Sequence, residues 1–242
     1  MNKIIPLAGT ALLLASSFAS AEYIELHDKK RNRIIPVTFN VPDNETCSVD
    51  EPCPVAIFSA GNKVPYERYS FLTDKFREMG YMTLSVNHEL PSDPPLSKTG
   101  DLYLNRIENW ERGAETLDFV INEMPKAYGR GYDFDNVVLV GHSNGGDIST
   151  WAANSGKEYI STLITLDHKR VSLPRTKSIH VLSINSPEYP TKEGVLYNSD
   201  EQKQYGSEVH LIEGSKHMDF SDFGTEEVHK KTNQIIEQFL QG

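Results

Sequence analysis

The stretch VVLVGHSNGGDIS, residues 137–149, constrains this chain more than any other. Four apolar residues suited to a strand run straight into Gly141, His142, Ser143, Asn144, Gly145 and Gly146. Apolar residues then resume at Ile148, Trp151 and Ala152 with helical spacing. Gly141 to Gly145 fit G-x-S-x-G, a strand-to-helix turn so tight that a side chain at either outer glycine would collide with its neighbours. Such a turn lifts the serine oxygen above a sheet and sets the next backbone N–H, that of Asn144, at a helix N-terminus facing a developing oxyanion. A Gly-rich turn with a capping serine is the plainer alternative. The strand before and the helix after favour Ser143 as a nucleophile.

The rest of the chain supplies a matching frame. Residues 23–42 read as a hairpin turning at Asp28 to Asn32, with the second strand over Ile34 to Val41. Beyond it, apolar runs at 55–59, 81–86, 137–141, 162–167, 179–185 and 208–214 alternate with helical patterns at 70–79, 105–124 and 225–240. Near-continuous apolar runs of this length suit parallel strands buried on both faces. In the 105–124 helix, Ile107, Trp110, Ala114, Leu117, Ile121 and Met124 form one apolar face, and Asn105 with Glu108 reads as a capping box. The pattern predicts a doubly wound, mostly parallel sheet of about eight strands with helices on both faces. Ligands of such sheets bind at the carboxyl ends of the strands.

A serine nucleophile needs a base, and in this architecture the order is serine, acid, histidine. His217, in GSKHMDF directly after the last strand, is the predicted base. His142 is expected to pack beneath the turn, and His88 to line the pocket. Two carboxylates compete as the acid. Asp167 ends one strand, and Glu188 follows the next. Spacing does not separate them. A second oxyanion donor is expected from the loop after 55–59, through the backbone N–H of Asn62.

The N-terminus sets the context. Met1-Asn2-Lys3 leads into a mostly apolar run to Phe18, and Ala19-Ser20-Ala21 offers a cleavage site, so residues 1–21 read as a signal peptide and 22–242 as one exported domain, periplasmic or secreted. The run is too short for a good membrane span. Cys47 and Cys53 are the chain's two cysteines, and in an exported protein they are expected to pair. Asn44 begins a glycosylation sequon. The formal charge is −10; without Lys3, 23 Lys and Arg face 34 Asp and Glu, or −11. A surface so acidic repels phosphate backbones and anionic lipid, which argues against nucleic-acid binding and stable membrane insertion. No metal-ligand spacing, dinucleotide fingerprint or phosphate loop is visible, so no metal or cofactor is expected.

Taken together, FSAGNKVPYERYS, VNHE, GHSNGG, TLDHKR and GSKHMDFSDF resemble the α/β-hydrolase superfamily of serine esterases. The likeness is greatest to its platelet-activating-factor acetylhydrolase and dienelactone-hydrolase-like branches, over much of residues 55–225. The resemblance implies a triad of Ser143, Asp167 and His217, with the amides of Asn62 and Asn144 as oxyanion hole, and so favours Asp167 over Glu188. It implies a small-molecule or lipid-like ester as substrate. Two positions depart from the pattern: Ala60 stands where the branch has His, and Asn144 where a bulky apolar residue is frequent. The short segment 90–105 leaves little room for a cap domain. Amide cleavage by the same residues, or a non-catalytic binding protein on the same fold, are the competing functions.

Overall fold

The structure is a computed structural model that describes residues 21–43, 46–129 and 131–242. Of the expected leader only Ala21 is described, and Asn44 also lies outside the described residues.

Eight strands form one sheet: β1 (Glu22–Asp28), β2 (Arg33–Asn40), β3 (Cys53–Ser59), β4 (Met82–Val86), β5 (Tyr132–His142), β6 (Ile160–Leu166), β7 (His180–Asn185) and β8 (Glu208–Leu211). Their order is β1-β2-β4-β3-β5-β6-β7-β8. The first two make the predicted antiparallel hairpin, and β2 pairs antiparallel with β4; from β4 onward every pairing is parallel. Among the described residues five helices accompany them: α1 (Ser70–Glu78), α2 (Ile107–Tyr128), α3 (Asn144–Ala153), α4 (Ser199–Tyr205) and α5 (Glu226–Gln241).

The apolar runs are continuous because alternate residues enter two cores. Val55, Ile57, Val137 and Leu139 pack with Trp110 and Leu117 of α2 and Ile148 of α3. Ala56, Phe58, Val138 and Val140 pack on the other face with Leu72 and Phe76 of α1 and Val228 and Ile236 of α5. With period-2 side chains and both faces covered, no position in Val55–Ser59 or Val137–His142 is left for a polar residue to meet water. The register then levels the strand ends. Ser59 pairs with Gly141, Gly141 with Thr165, and Thr165 with Ser183. Whatever follows each strand therefore emerges on one rim.

Two local expectations are corrected. Asn105 and Glu108 do not form a capping box: α2 begins at Ile107 after a 3₁₀ turn over Leu104–Arg106, and the Asn105 side chain donates instead to the Thr99 carbonyl at 3.0 Å. Asp101 fills the capping role one turn earlier, accepting from the N–H groups of Tyr103 and Leu104. The tighter turn rotates Asn105 away from the α2 terminus. Helix α4, absent from the sequence reading, buries none of its residues and so has no apolar stripe. Its ends are still written locally, in an Asn198–Glu201 capping box and Gly206 at left-handed φ of 64°.

Cys47 and Cys53 form a disulfide, with Cα atoms 5.2 Å apart, that ties the segment before β3 to the start of that strand. It closes a short loop, for which the chain-entropy account gives about 2 kcal/mol. Replacing both cysteines by serine should lower unfolding free energy by about that amount in urea titration, leaving turnover unchanged. Two titratable thiols on freshly folded protein would contradict the bridge.

Candidate active site

The 137–149 stretch turns as its glycines require. Ser143 adopts φ 54° and ψ −119°, a region L-residues avoid, so the surrounding structure must hold it there. A Cβ on Gly145 would lie 2.1 Å from the Ser59 carbonyl oxygen, and one on Gly141 2.4 Å from that of Gly145. Only glycine permits this crossing of β5, β3 and α3. The Ser143 N–H donates to the Leu166 carbonyl at 2.9 Å, locking the turn to β6.

The rim brings three of the predicted side chains together. His217 Nε2 lies 2.8 Å from Ser143 Oγ, and His217 Nδ1 lies 2.5 Å from Asp167 Oδ2. With Nδ1–H donating to the carboxylate, Nε2 is left to accept the serine proton. Asp167 follows β6, itself at φ 52°, and is fully buried. Its carboxylate also accepts from Lys169 Nζ (2.6 Å), the Ser186 N–H (2.8 Å) and Ser186 Oγ (3.0 Å). Burial alone would push the Asp167 carboxyl up, but bonds from His217, Lys169 and Ser186 outweigh it and bring it down to about 2. It is therefore ionised at neutral pH.

Glu188, the competing acid, is exposed and does not reach the imidazole. It accepts from the backbone N–H of His217 at 2.6 Å. Both carboxylates thus touch His217, one at its ring and one at its main chain. Ser186 stands just past β7, among the strand-end residues to which the sequence directs attention, whereas no role for Lys169 is legible there.

The Asn144 N–H opens α3 and has no intrahelical acceptor. The Asn144 side chain, almost fully buried, accepts from Trp110 Nε1 at 3.1 Å and donates to Asn109 Oδ1 at 2.8 Å. The buried asparagine is accommodated because α2 presents polar partners to it. Asn62 lies in the turn after β3, closed by the Val64 N–H donating to the Gly61 carbonyl at 3.0 Å. Ser143, His217, Gly61 and Asn62 share a cleft of about 410 Å³ whose walls include Tyr189 and Met218. His88, expected in the pocket, is instead buried beside Ser59, its Nε2 2.9 Å from Ser59 Oγ, and does not line this cleft. His142 does pack beneath the turn, with 1% exposure. Among the described residues, no three His, Cys, Asp or Glu side chains are grouped to hold a metal ion, and no helix is long and apolar enough to cross a membrane.

No family model and no curated protein sequence matches the chain. Many solved structures do. A dienelactone hydrolase-like promiscuous phosphotriesterase from metagenomic libraries superposes at TM-score 0.65 with 13% identity, covering 92% of this chain and 98% of that one. A thermophilic esterase from the planctomycete Thermogutta terrifontis, solved with butyrate bound, gives 0.64 at 14% identity, covering 93% and 94%. A dienelactone hydrolase from Anabaena variabilis gives 0.61 at 12%, covering 92% and 97%. At such identities the likeness is one of architecture: eight strands with the same mostly parallel winding place this chain in the α/β-hydrolase fold.

Proposed function

We propose that the protein is an exported serine hydrolase that cleaves carboxylic esters through an acyl-enzyme. The observation that carries this reading is the hydrogen-bonded line Ser143 Oγ–His217–Asp167 at the strand rim. Ser143 Oγ attacks the acyl carbon while its proton passes to His217 Nε2. Asp167 keeps the ring in the tautomer that can accept it and stabilises the imidazolium. The tetrahedral oxygen is held by the amides of Asn62 and Asn144. The His217 proton leaves with the alcohol. Water then attacks the acyl-enzyme, gives its proton to His217, and the acid departs as the Ser143 O–H is restored. Every step uses this chain's own groups and water. Butyrate in the Thermogutta terrifontis esterase supports a small acyl group as substrate, and the disulfide supports an oxidising compartment and hence export.

A panel of p-nitrophenyl esters of increasing acyl length, beside a p-nitroanilide of matched acyl group, tests the reading. The ester should turn over at least about 100-fold faster than the anilide, a barrier difference of about 2.7 kcal/mol. Equal rates would make the protein an amidase. Absence of both turnover and fluorophosphonate labelling would make it a non-catalytic member of the fold.

A further inference from the structure

The serine turn carries a second histidine that the reaction above does not use. His142 is buried, and each ring nitrogen has a partner. Its Nε2 lies 2.9 Å from the His217 carbonyl oxygen, which can only accept, so Nε2 carries the proton. Its Nδ1 must then accept, and it does so from the Tyr69 hydroxyl at 2.9 Å. The same hydroxyl accepts from the Gly61 N–H at 2.8 Å. Tyr69 stands just before α1 and is 3% exposed. The donors therefore run in one direction, from Gly61 to Tyr69 to His142 to the main chain of His217. The last two steps join segments more than 70 residues apart in sequence.

This line ends at both parts of the machinery that must be held still. At one end is the turn that presents the Asn62 amide. With the Gly61 N–H committed to Tyr69, the neighbouring Asn62 N–H is the loop's candidate oxyanion donor. At the other end is the peptide of His217, gripped on its N–H side by Glu188 and on its carbonyl side by His142. The His142 and His217 rings lie 4.9 Å apart, tilted by 43°. Burial, reinforced by the facing His217 ring, pushes the His142 imidazole down to about 3, so it remains neutral beside the cation that forms on His217.

We infer that Tyr69 and His142 are positioning residues, a buried hydrogen-bond brace that holds the Asn62 oxyanion loop in register with the His217 loop. This rests on the esterase reading above. A brace of this kind acts on the transition state. The substrate's ground state needs neither the oxyanion amide nor an aligned imidazole. Its removal should therefore lower kcat and leave KM nearly unchanged.

Tyr69→Phe keeps the ring and removes the hydroxyl, leaving Gly61 N–H and His142 Nδ1 without their partner. It should lose about 10- to 100-fold in kcat, the range of a displaced transition-state donor, with KM changing less than about 3-fold. Affinity for a trifluoromethyl ketone analogue of the acyl group should fall by the same factor as kcat/KM. His142→Gln, which can still reach the His217 carbonyl, should lose a comparable amount, and the double variant little more than either alone, because both break one line. Tyr69→Phe with parental kcat and parental ketone affinity, whatever its melting temperature, would overturn the inference, as would additive losses in the double variant. The parent is assayed alongside. A parent that neither turns over esters nor labels with fluorophosphonate would defeat the esterase reading instead.

Discussion

Ser143→Ala should lose about 10⁵- to 10⁶-fold in kcat on any ester the parent hydrolyses, the scale seen when a triad nucleophile is removed. Loss on that scale follows from the chemistry, since no other hydroxyl lies within hydrogen-bond reach of His217 Nε2 among the described residues. Fluorophosphonate labelling should vanish with it. The fold should not change. Alanine keeps the Cβ that already sits at φ 54°, and the turn is built on the absence of side chains at Gly141 and Gly145 rather than on the serine oxygen. A melting temperature close to the parent's, with labelling abolished, is the expected pair of results. Labelling that persists at another serine would relocate the nucleophile.

Asp167→Asn carries the second large effect. The substitution keeps the shape of the side chain and removes the charge. An amide at this position can present its NH₂ to His217 and favour the wrong tautomer, and it cannot stabilise the imidazolium. The expected loss in kcat lies between about 10² and 10⁴. Lys169, 10% exposed and 2.6 Å from the carboxylate, would also lose its counter-charge, so a lower melting temperature should accompany the loss. Glu188→Gln retains an oxygen that can accept from the His217 N–H, and its cost should stay below about 10-fold, a barrier gap from Asp167→Asn of more than about 1.4 kcal/mol. The reverse order would assign the acid to Glu188. Equal losses would mean that holding the His217 main chain matters as much as charging its ring.

What could be read from the chain alone follows from the range over which each constraint acts. Gly141 and Gly145 are legible because the contacts that forbid a side chain there lie within a few residues or on adjacent strands of fixed register. The apolar runs of β3, β5 and β6 are legible for the same reason, since burial on two faces leaves a one-dimensional trace. Helix α4 leaves no apolar trace because none of its residues is fully buried, although Asn198, Glu201 and Gly206 mark its ends. The Asn105–Glu108 spacing misled because a 3₁₀ turn one residue earlier changes the angle by which side chains advance. Asp167 and Glu188 could not be separated by spacing. Both follow adjacent parallel strands, and which of them meets the ring depends on the path of the His217 loop, 50 residues past Asp167. Tyr69 left no trace, since its two partners are 8 and 73 residues away and nothing local marks a tyrosine that bridges loops.

The strand that delivers His217 is the least secured part of the sheet. β8 is four residues long, pairs on one side alone, and none of its residues is buried. Ser143 and Asp167 hang instead from β5 and β6, at the centre of the sheet. Opening free energies in a folded protein range from near zero at frayed edges to the global value in the core. The edge carrying His217 therefore opens by a cheaper excursion than the whole molecule does. Heat or mild denaturant should part the imidazole from its serine while β3, β5 and β6 remain protected from solvent exchange. On the esterase reading, turnover should therefore be lost at a temperature below the melting point of the core, which activity and melting scans run side by side would show.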